Sequence, residues 1–358
     1  MNINDKAKIR LINIIISSAV ICLTPLYKEY GISGSEHYAK AFSGKEMTCV
    51  MGFRSDMYNA SGLEAGLNYE LLHRFAHDNK CTIAIRSADR NENILDSIRT
   101  GRIDLIVTDD ADSLDAYGLI ALKRAGNSSV WAIRRNCVNE IRQLNYWIGH
   151  TEASGYLEKL KKAYTGPFDP HKREERGIIS RTISPYDAIM KKYASELGWD
   201  WRMIAAVVYQ ESKFSISSRS FRGAQGLMQV MPQTGTYYGI DNLLDPELNI
   251  KAGTSHLKRL QQIFRKQNMA EEELVRFILA AYNAGEGRIM DCRNLAAAKG
   301  FDSDIWSEVA KVIPLMREDS ILEEESVKHG KFYGYETIRY VEDVLSLYES
   351  ICRICPQS

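Results

Sequence analysis

The feature that most constrains this chain is a change of hydrophobic period near its middle. From residue 46 to about 165, short apolar runs alternate with stretches of helical spacing. From Ser184 to Tyr348 only the helical period remains. The two regimes meet at Thr165 to Thr182. That stretch holds Gly166, Pro167, Pro170 and the charge run Lys172-Arg-Glu-Glu-Arg176, the composition of an exposed connection. A chain of 358 residues is long enough for about two domains. The expected fold class is therefore two domains: an α/β layer over residues 46–165, a linker over 166–184, and a mainly-α domain over 185–350.

In the first domain, Thr48–Phe53, Thr82–Ile85, Ile103–Val107 and Val130–Ile133 read as strands. Leu67–His77 keeps Leu67, Leu71, Leu72, Phe75 and Ala76 on one helical side. A second helix carries Ile94, Leu95 and Ile98 and stops at Gly101. Two further helices follow the fourth strand, one with Ile141, Leu144, Trp147 and Ile148, the other with Tyr156, Leu157 and Leu160. His73 and His77, four apart, read as a solvated helix face, since no third metal ligand accompanies them.

Three segments, Gly66-Leu-Asn-Tyr-Glu-Leu-Leu72, Gly101-Arg-Ile-Asp-Leu-Ile-Val107 and Val130-Trp-Ala-Ile-Arg-Arg135, resemble the periplasmic solute-binding fold of the polar amino-acid type. The resemblance implies one α/β lobe of that fold. Only Thr108–Ser129 stands where the family places a second lobe, and Thr108-Asp-Asp-Ala-Asp112 lacks its ligand-gripping Arg. A docking or regulatory remnant, open to a muropeptide or protein partner, is expected ahead of a working receptor.

The first 28 residues read as a signal peptide or membrane anchor. Lys6, Lys8 and Arg10 precede a nearly apolar run from Leu11 to Leu23, shorter than the roughly 20 residues a bilayer span needs. Cys22 is preceded by Ala19, Val20 and Ile21, a poor context for lipidation. Export would let some of the other six cysteines pair, and Cys352-Arg-Ile-Cys355 reads as a structural disulfide or free thiols rather than a redox site. Equal counts of 46 basic and 46 acidic residues leave no formal charge to attract nucleic acid.

The second domain opens with Ser184 as expected N-cap, Pro185 at N1 and Asp187 at N3. Its next helix, from about Trp201 to Ser212, carries an apolar stripe of Ile204, Val207 and Val208. Seven residues beyond Ile204 stands Glu211, on the same face. A carboxyl group so placed is partly desolvated, which raises its pKa and suits it to donate a proton near neutrality. Alone, Glu211 reads as a salt-bridged or capping residue ahead of a catalytic one. Downstream come Ser220, Gly223-Ala-Gln-Gly-Leu-Met-Gln229, Ala281-Tyr-Asn-Ala-Gly285 and Tyr335-Glu-Thr-Ile-Arg-Tyr-Val341. Gly223 and Gly226 permit a close-approach backbone, and the Gln229 amide can both donate to and accept from sugar groups.

Four of these motifs stand in family order: Glu211-Ser212, Gly226-Leu-Met-Gln229, Ala281-Tyr-Asn-Ala-Gly285, and Glu336-Thr337 with Tyr340-Val341. Over about residues 185–350 the sequence resembles the Slt-type lytic transglycosylases, a helical lysozyme-like fold. An exported chain with a solute-binding-like module ahead of such a domain resembles the membrane-bound members, less one lobe. The resemblance implies a peptidoglycan substrate, no cofactor and no metal, and a periplasmic, membrane-associated location with the outer membrane favoured. It implies Glu211 as acid and then base, closing a 1,6-anhydro ring with help from the substrate's N-acetyl group. It implies substrate contacts from Ser212, Ser220, Met228, Gln229, Tyr282, Asn283 and Tyr340. Met228 and Tyr340 read equally as core residues, and Glu336 reads as holding Thr337 and the last helix. A lysozyme-type hydrolase, using Asp241 or Asp245 to position water, and a non-catalytic wall-binding or solute-sensing protein remain alternatives.

Overall fold

A computed structural model describes residues 41–52, 61–88, 92–122, 129–164, 169–265, 269–325 and 327–356. The expected export signal, Cys22 and the start of the connection at residues 165–168 lie outside the described residues. The chain divides into two compact units, Met1–Gly52 with Asn68–Leu157, and Phe53–Leu67 with Glu158–Ser358.

The first unit is built on a five-stranded mixed sheet. Its strands are β1 (Glu46–Gly52), β2 (Thr82–Ser87), β3 (Leu105–Thr108), β4 (Leu119–Ala121) and β5 (Val130–Arg134), in the order β2-β1-β3-β5-β4. β1 pairs in parallel with both β2 and β3, while β5 runs antiparallel to β3 and β4. Parallel neighbours need crossovers, and α1 (Ser61–Asp78) and α2 (Ile94–Arg99) supply them. Both faces of such strands are covered, which is why β3 and β5 are nearly all apolar and buried. Val50, Ile98, Ile106, Leu119 and Ala132 pack into one cluster. Phe75, Trp131 and Trp147 form an aromatic group beside it, with the two indoles stacked at 6.2 Å. Buried Asn68 accepts the Trp131 indole N–H at 2.7 Å.

β4 lies inside Thr108–Ser129, where no strand is expected from the sequence. At three residues it is too short to show a period of two. After β5 come α3 (Val138–Ala153) and α4 (Tyr156–Tyr164), the two expected helices.

The second unit is helical. Its main helices are α6 (Asp187–Leu197), α7 (Trp201–Ser212), α9 (Pro246–Arg265), α10 (Glu271–Ala284), α11 (Glu286–Ala298) and α14 (Tyr335–Ile354). Between them lie the shorter α5 (Pro170–Glu175), α8 (Pro232–Tyr237), α12 (Trp306–Val312) and α13 (Asp319–Leu322). α7 is the core helix, with Ile204, Ala205, Ala206, Val207 and Val208 fully buried against α6 and α14. Asp200 caps its start by accepting from Arg202 N–H at 3.0 Å.

Two local details differ from expectation. α5 falls within the stretch read as connection; it is capped by Asp169 and fastened to α14 by Arg353–Glu174 and by a 3.0 Å contact of His171 Nδ1 with Ser350 Oγ. Ser184 does not cap α6, which starts at Asp187. The buried Asp187 carboxylate instead gathers Ile183 N–H at 2.7 Å and both Ser184 N–H and Oγ–H at 2.8 Å. A carboxylate accepts three bonds where a hydroxyl accepts fewer, so Asp187 organises the turn.

Among the described residues, Cys49, Cys81, Cys137, Cys292, Cys352 and Cys355 are free thiols. No helix among them is long and apolar enough to cross a membrane, and no group of three or more His, Cys, Asp or Glu could hold a metal ion.

Candidate active site

α7 delivers Glu211 at its last turn, one residue before it ends. The chain then leaves the helix through Lys213 and Phe214, with φ of 53° and 63°. These are left-handed values that non-glycine residues adopt only under constraint. The constraint is visible: the Phe214 ring is fully buried and packs against Tyr209 at 5.7 Å. Gln229, at 47°, is a third residue of this kind in the same unit.

Glu211 is half-buried. Burial pushes its pKa up from 4.5 to about 7, and the hydrogen bond from Tyr340 pulls it partly back. That bond runs from Tyr340 Oη–H to Glu211 Oε1 at 2.7 Å, contributed by α14. A carboxyl group with such a pKa is present in both forms near neutrality, as a group that must give and then take a proton requires. Tyr340 itself is buried, and desolvation with the nearby Glu211 keeps its hydroxyl protonated well beyond the ordinary range. Tyr282, on α10, feels the same influences in the same order. Its hydroxyl donates to Met228 O at 2.7 Å.

The segment Gln225–Gln229 is pinned from several elements. Ser212 Oγ donates to Leu227 O at 2.8 Å and to Val208 O at 3.1 Å. Gln229 Nε2 donates to Ser218 O and Gly226 O, both at 3.0 Å. Met228 is fully buried, against Gly253 of α9, where an added Cβ would stand 2.4 Å from its sulfur. Ser220 is half-buried and closes its own turn, Oγ accepting from Ala224 N–H at 3.0 Å. Asn283 is exposed, and its Oδ1 accepts from Thr337 Oγ at 2.8 Å. That bond joins the third and fourth motifs, while Glu336 points to solvent.

Of the residues expected at the site, Glu211, Tyr340 and Tyr282 form one electrostatically linked group. Ser212, at the end of α7, reaches the loop that carries Tyr282's acceptor, and Met228 and Gln229 are parts of that loop. Asp245 caps α9, accepting from Leu248 N–H at 2.8 Å, and Asp241 is exposed. Among the described residues no second carboxylate contributes to the shift of Glu211.

Two residues were missed from sequence. His256 packs on the Tyr282 ring at 5.6 Å, and burial lowers its pKa, which favours the neutral imidazole. Asn249 is fully buried and bonds three backbone groups of the site. A signal existed for it: an Asn in the second turn of an amphipathic helix, in line with Ile250 and Gly253, is a polar residue on an apolar face.

Residues 188–305 match the family described as Transglycosylase SLT domain. The membrane-bound lytic murein transglycosylase F of Shewanella frigidimarina is 30% identical over 281 residues, 75% of this chain and 58% of that one. That of Photobacterium profundum is 30% identical over 280 residues, 75% and 53% respectively. That of Haemophilus influenzae strain 86-028NP is 34% identical over 212 residues, 58% and 43%. The chain spans about half the length of these curated relatives. The structure of an inactive mutant of lytic transglycosylase Slt from Pseudomonas aeruginosa is 25% identical, over 48% of this chain and 25% of that one, with a TM-score of 0.31, too low to compare the folds. The chain thus carries a match to the transglycosylase SLT domain in its helical unit, and is about 30% identical to membrane-bound lytic murein transglycosylases F over most of its length.

Proposed function

We propose that this chain is a peptidoglycan lytic transglycosylase with Glu211 as its single acid and base. The observation that carries the reading is a half-buried carboxyl group, tied to Tyr340, whose pKa lies at about 7. Protonated Glu211 gives its proton to the glycosidic oxygen between N-acetylmuramic acid and N-acetylglucosamine, and that C–O bond breaks. The acetamido carbonyl oxygen of the muramic residue stabilises the positive anomeric carbon, which stands in for an enzymic nucleophile. Glu211, now ionised, takes the proton from the muramic 6-hydroxyl, whose oxygen bonds to the anomeric carbon. The products are a free hydroxyl end and a 1,6-anhydro end, and Glu211 regains its proton without water.

Tyr282, Ser220 and Asn283 face or border the sugar in this reading. Met228 and Gln229 act from within the loop, Ser212 acts on it from the end of α7, and Tyr340 holds Glu211. No cofactor or nucleic acid enters the reaction. The sheet unit serves as a solute-binding-type lobe that docks a muropeptide or protein partner. The chain works in the periplasm, attached to a membrane through its N-terminus, with the outer membrane favoured.

The test is the mass of products released from purified peptidoglycan by the wild-type chain and by Glu211→Gln. Anhydro ends, lighter than reducing ends by one water, together with loss of release in the variant, are expected. Reducing ends alone would establish a hydrolase. Undiminished lysis by Glu211→Gln would remove Glu211 from the chemistry.

A further inference from the structure

Four consecutive backbone carbonyls beside Glu211 each accept a hydrogen bond from a different side chain. Gln225 O takes Asn249 Nδ2 at 2.9 Å, Gly226 O takes Gln229 Nε2 at 3.0 Å, Leu227 O takes Ser212 Oγ at 2.8 Å, and Met228 O takes Tyr282 Oη at 2.7 Å. Side chains from α7, α9 and α10 therefore converge on one short stretch of chain. Asn249 is the only one of the four that also holds an N–H of this stretch: its Oδ1 accepts from Met228 N–H at 2.8 Å. Its second amide hydrogen reaches Leu243 O at 2.8 Å, so its carboxamide holds three backbone groups and ties this stretch to a second segment.

The fit is close. At Gly226, φ is +75° and an added Cβ would lie 2.2 Å from Asn249 Nδ2 and 2.4 Å from Leu243 O. The glycine is required because the Asn249 amide stands where a side chain would be. Residue 228 is thus held from both ends: Asn249 grips its N–H and Tyr282 donates to its carbonyl. With its proton committed to Met228 O, the Tyr282 hydroxyl presents lone pairs to whatever lies beside Glu211. It can accept from an N–H or O–H of a bound sugar and has no hydrogen to offer one.

We infer that Asn249 is a positioning residue for the reaction: by fixing Met228 it fixes the direction of the Tyr282 hydroxyl beside Glu211. This deepens the transglycosylase reading and rests on it. An asparagine serving the fold alone would alter stability and leave the turnover of folded molecules untouched. One acting through Met228 and Tyr282 couples to Tyr282 in turnover.

The experiment is a double-mutant cycle of Asn249→Ala and Tyr282→Phe in the full chain. It measures kcat and KM for cleavage of purified peptidoglycan glycan strands, with melting temperature measured alongside. Each single variant is expected to lose about ten- to a hundredfold in kcat with little change in KM. The double variant is expected to be no slower than the slower single. Asn249→Asp keeps the acceptor for Met228 N–H and loses both donations; it is expected to melt lower than wild type yet hold kcat within about threefold. If Asn249→Ala does not fold, Asn249→Ser, whose hydroxyl is too short to reach Met228, takes its place in the cycle. Independent, multiplying losses in the double variant, or a kcat that follows melting temperature across Ala, Ser and Asp, would overturn the inference. Reducing rather than anhydro ends from the wild type would defeat the transglycosylase reading while leaving the cycle readable on the cleavage rate.

Discussion

Tyr340→Phe isolates the one hydrogen bond that Glu211 receives from a motif residue. Deleting the hydroxyl removes a donor to Glu211 Oε1, now at 2.7 Å, and leaves the ring to fill the same space. The bond favours the ionised carboxylate, so it opposes the burial that raises the pKa to about 7. A hydrogen bond to a charged group contributes about 1.5–3 kcal/mol and one to a neutral carboxylic acid about 0.5–1.5. The difference between the two protonation states is therefore on the order of 1–1.5 kcal/mol, or about one pKa unit at 1.36 kcal/mol per unit. The sign follows: without the donor the neutral acid is favoured and the pKa rises.

Glu211 must start protonated, so activity falls as pH rises through its pKa. The alkaline limb of the kcat/KM profile should move up by about one pH unit in Tyr340→Phe. The same change weakens the second step less than the first, because a more basic carboxylate accepts the 6-hydroxyl proton more readily. The assay is the initial rate of soluble muropeptide release across the pH range in which the wild type stays folded. A limb that stays in place, or moves down, would refute the electrostatic argument.

Two further outcomes follow from the same geometry. Glu211 has its pKa raised in the folded chain, so the proton it holds stabilises the fold below the unfolded value of 4.5, and that contribution is lost as pH rises to about 7. Glu211→Gln removes the loss. Denaturant unfolding should show the variant gaining on the wild type from pH 5 to pH 8, by about 3 kcal/mol at most, and an unchanging difference would show that burial is not what shifts the group. Gly226→Ala should destabilise the helical unit by more than about 2 kcal/mol, since a left-handed φ and a clash with both Asn249 and Leu243 O act together; calorimetry on the variant measures it.

Much of the scaffold was readable because it follows from chain-local physics. The stripe Ile204, Val207, Val208 and Glu211 recurs at helical spacing, so the helix and the depth of its carboxylate could be read together, and the fold buries the three aliphatic residues completely. The apolar runs at β1, β3 and β5 were legible for the same reason, whereas β4 was too short to leave a period. The start of α6 went astray because Ser184 and Asp187 are both good cap residues, and only the fold decides which of them the backbone N–H groups reach.

The site divides along the same line. The sequence by itself determined that a carboxylate would stand at the end of an apolar helix, and that Tyr282 and Asn283 would lie at the end of another. Those properties depend on residue type and spacing. Only the tertiary structure decided what the polar atoms do. Ser212 and Gln229 turn inward to backbone carbonyls, Tyr282 gives its proton to Met228, and Asn249, twenty-four residues beyond Gln225, holds that residue's carbonyl. A hydrogen bond is satisfied by whichever partner the fold brings within reach, and spacing along the chain does not encode that choice.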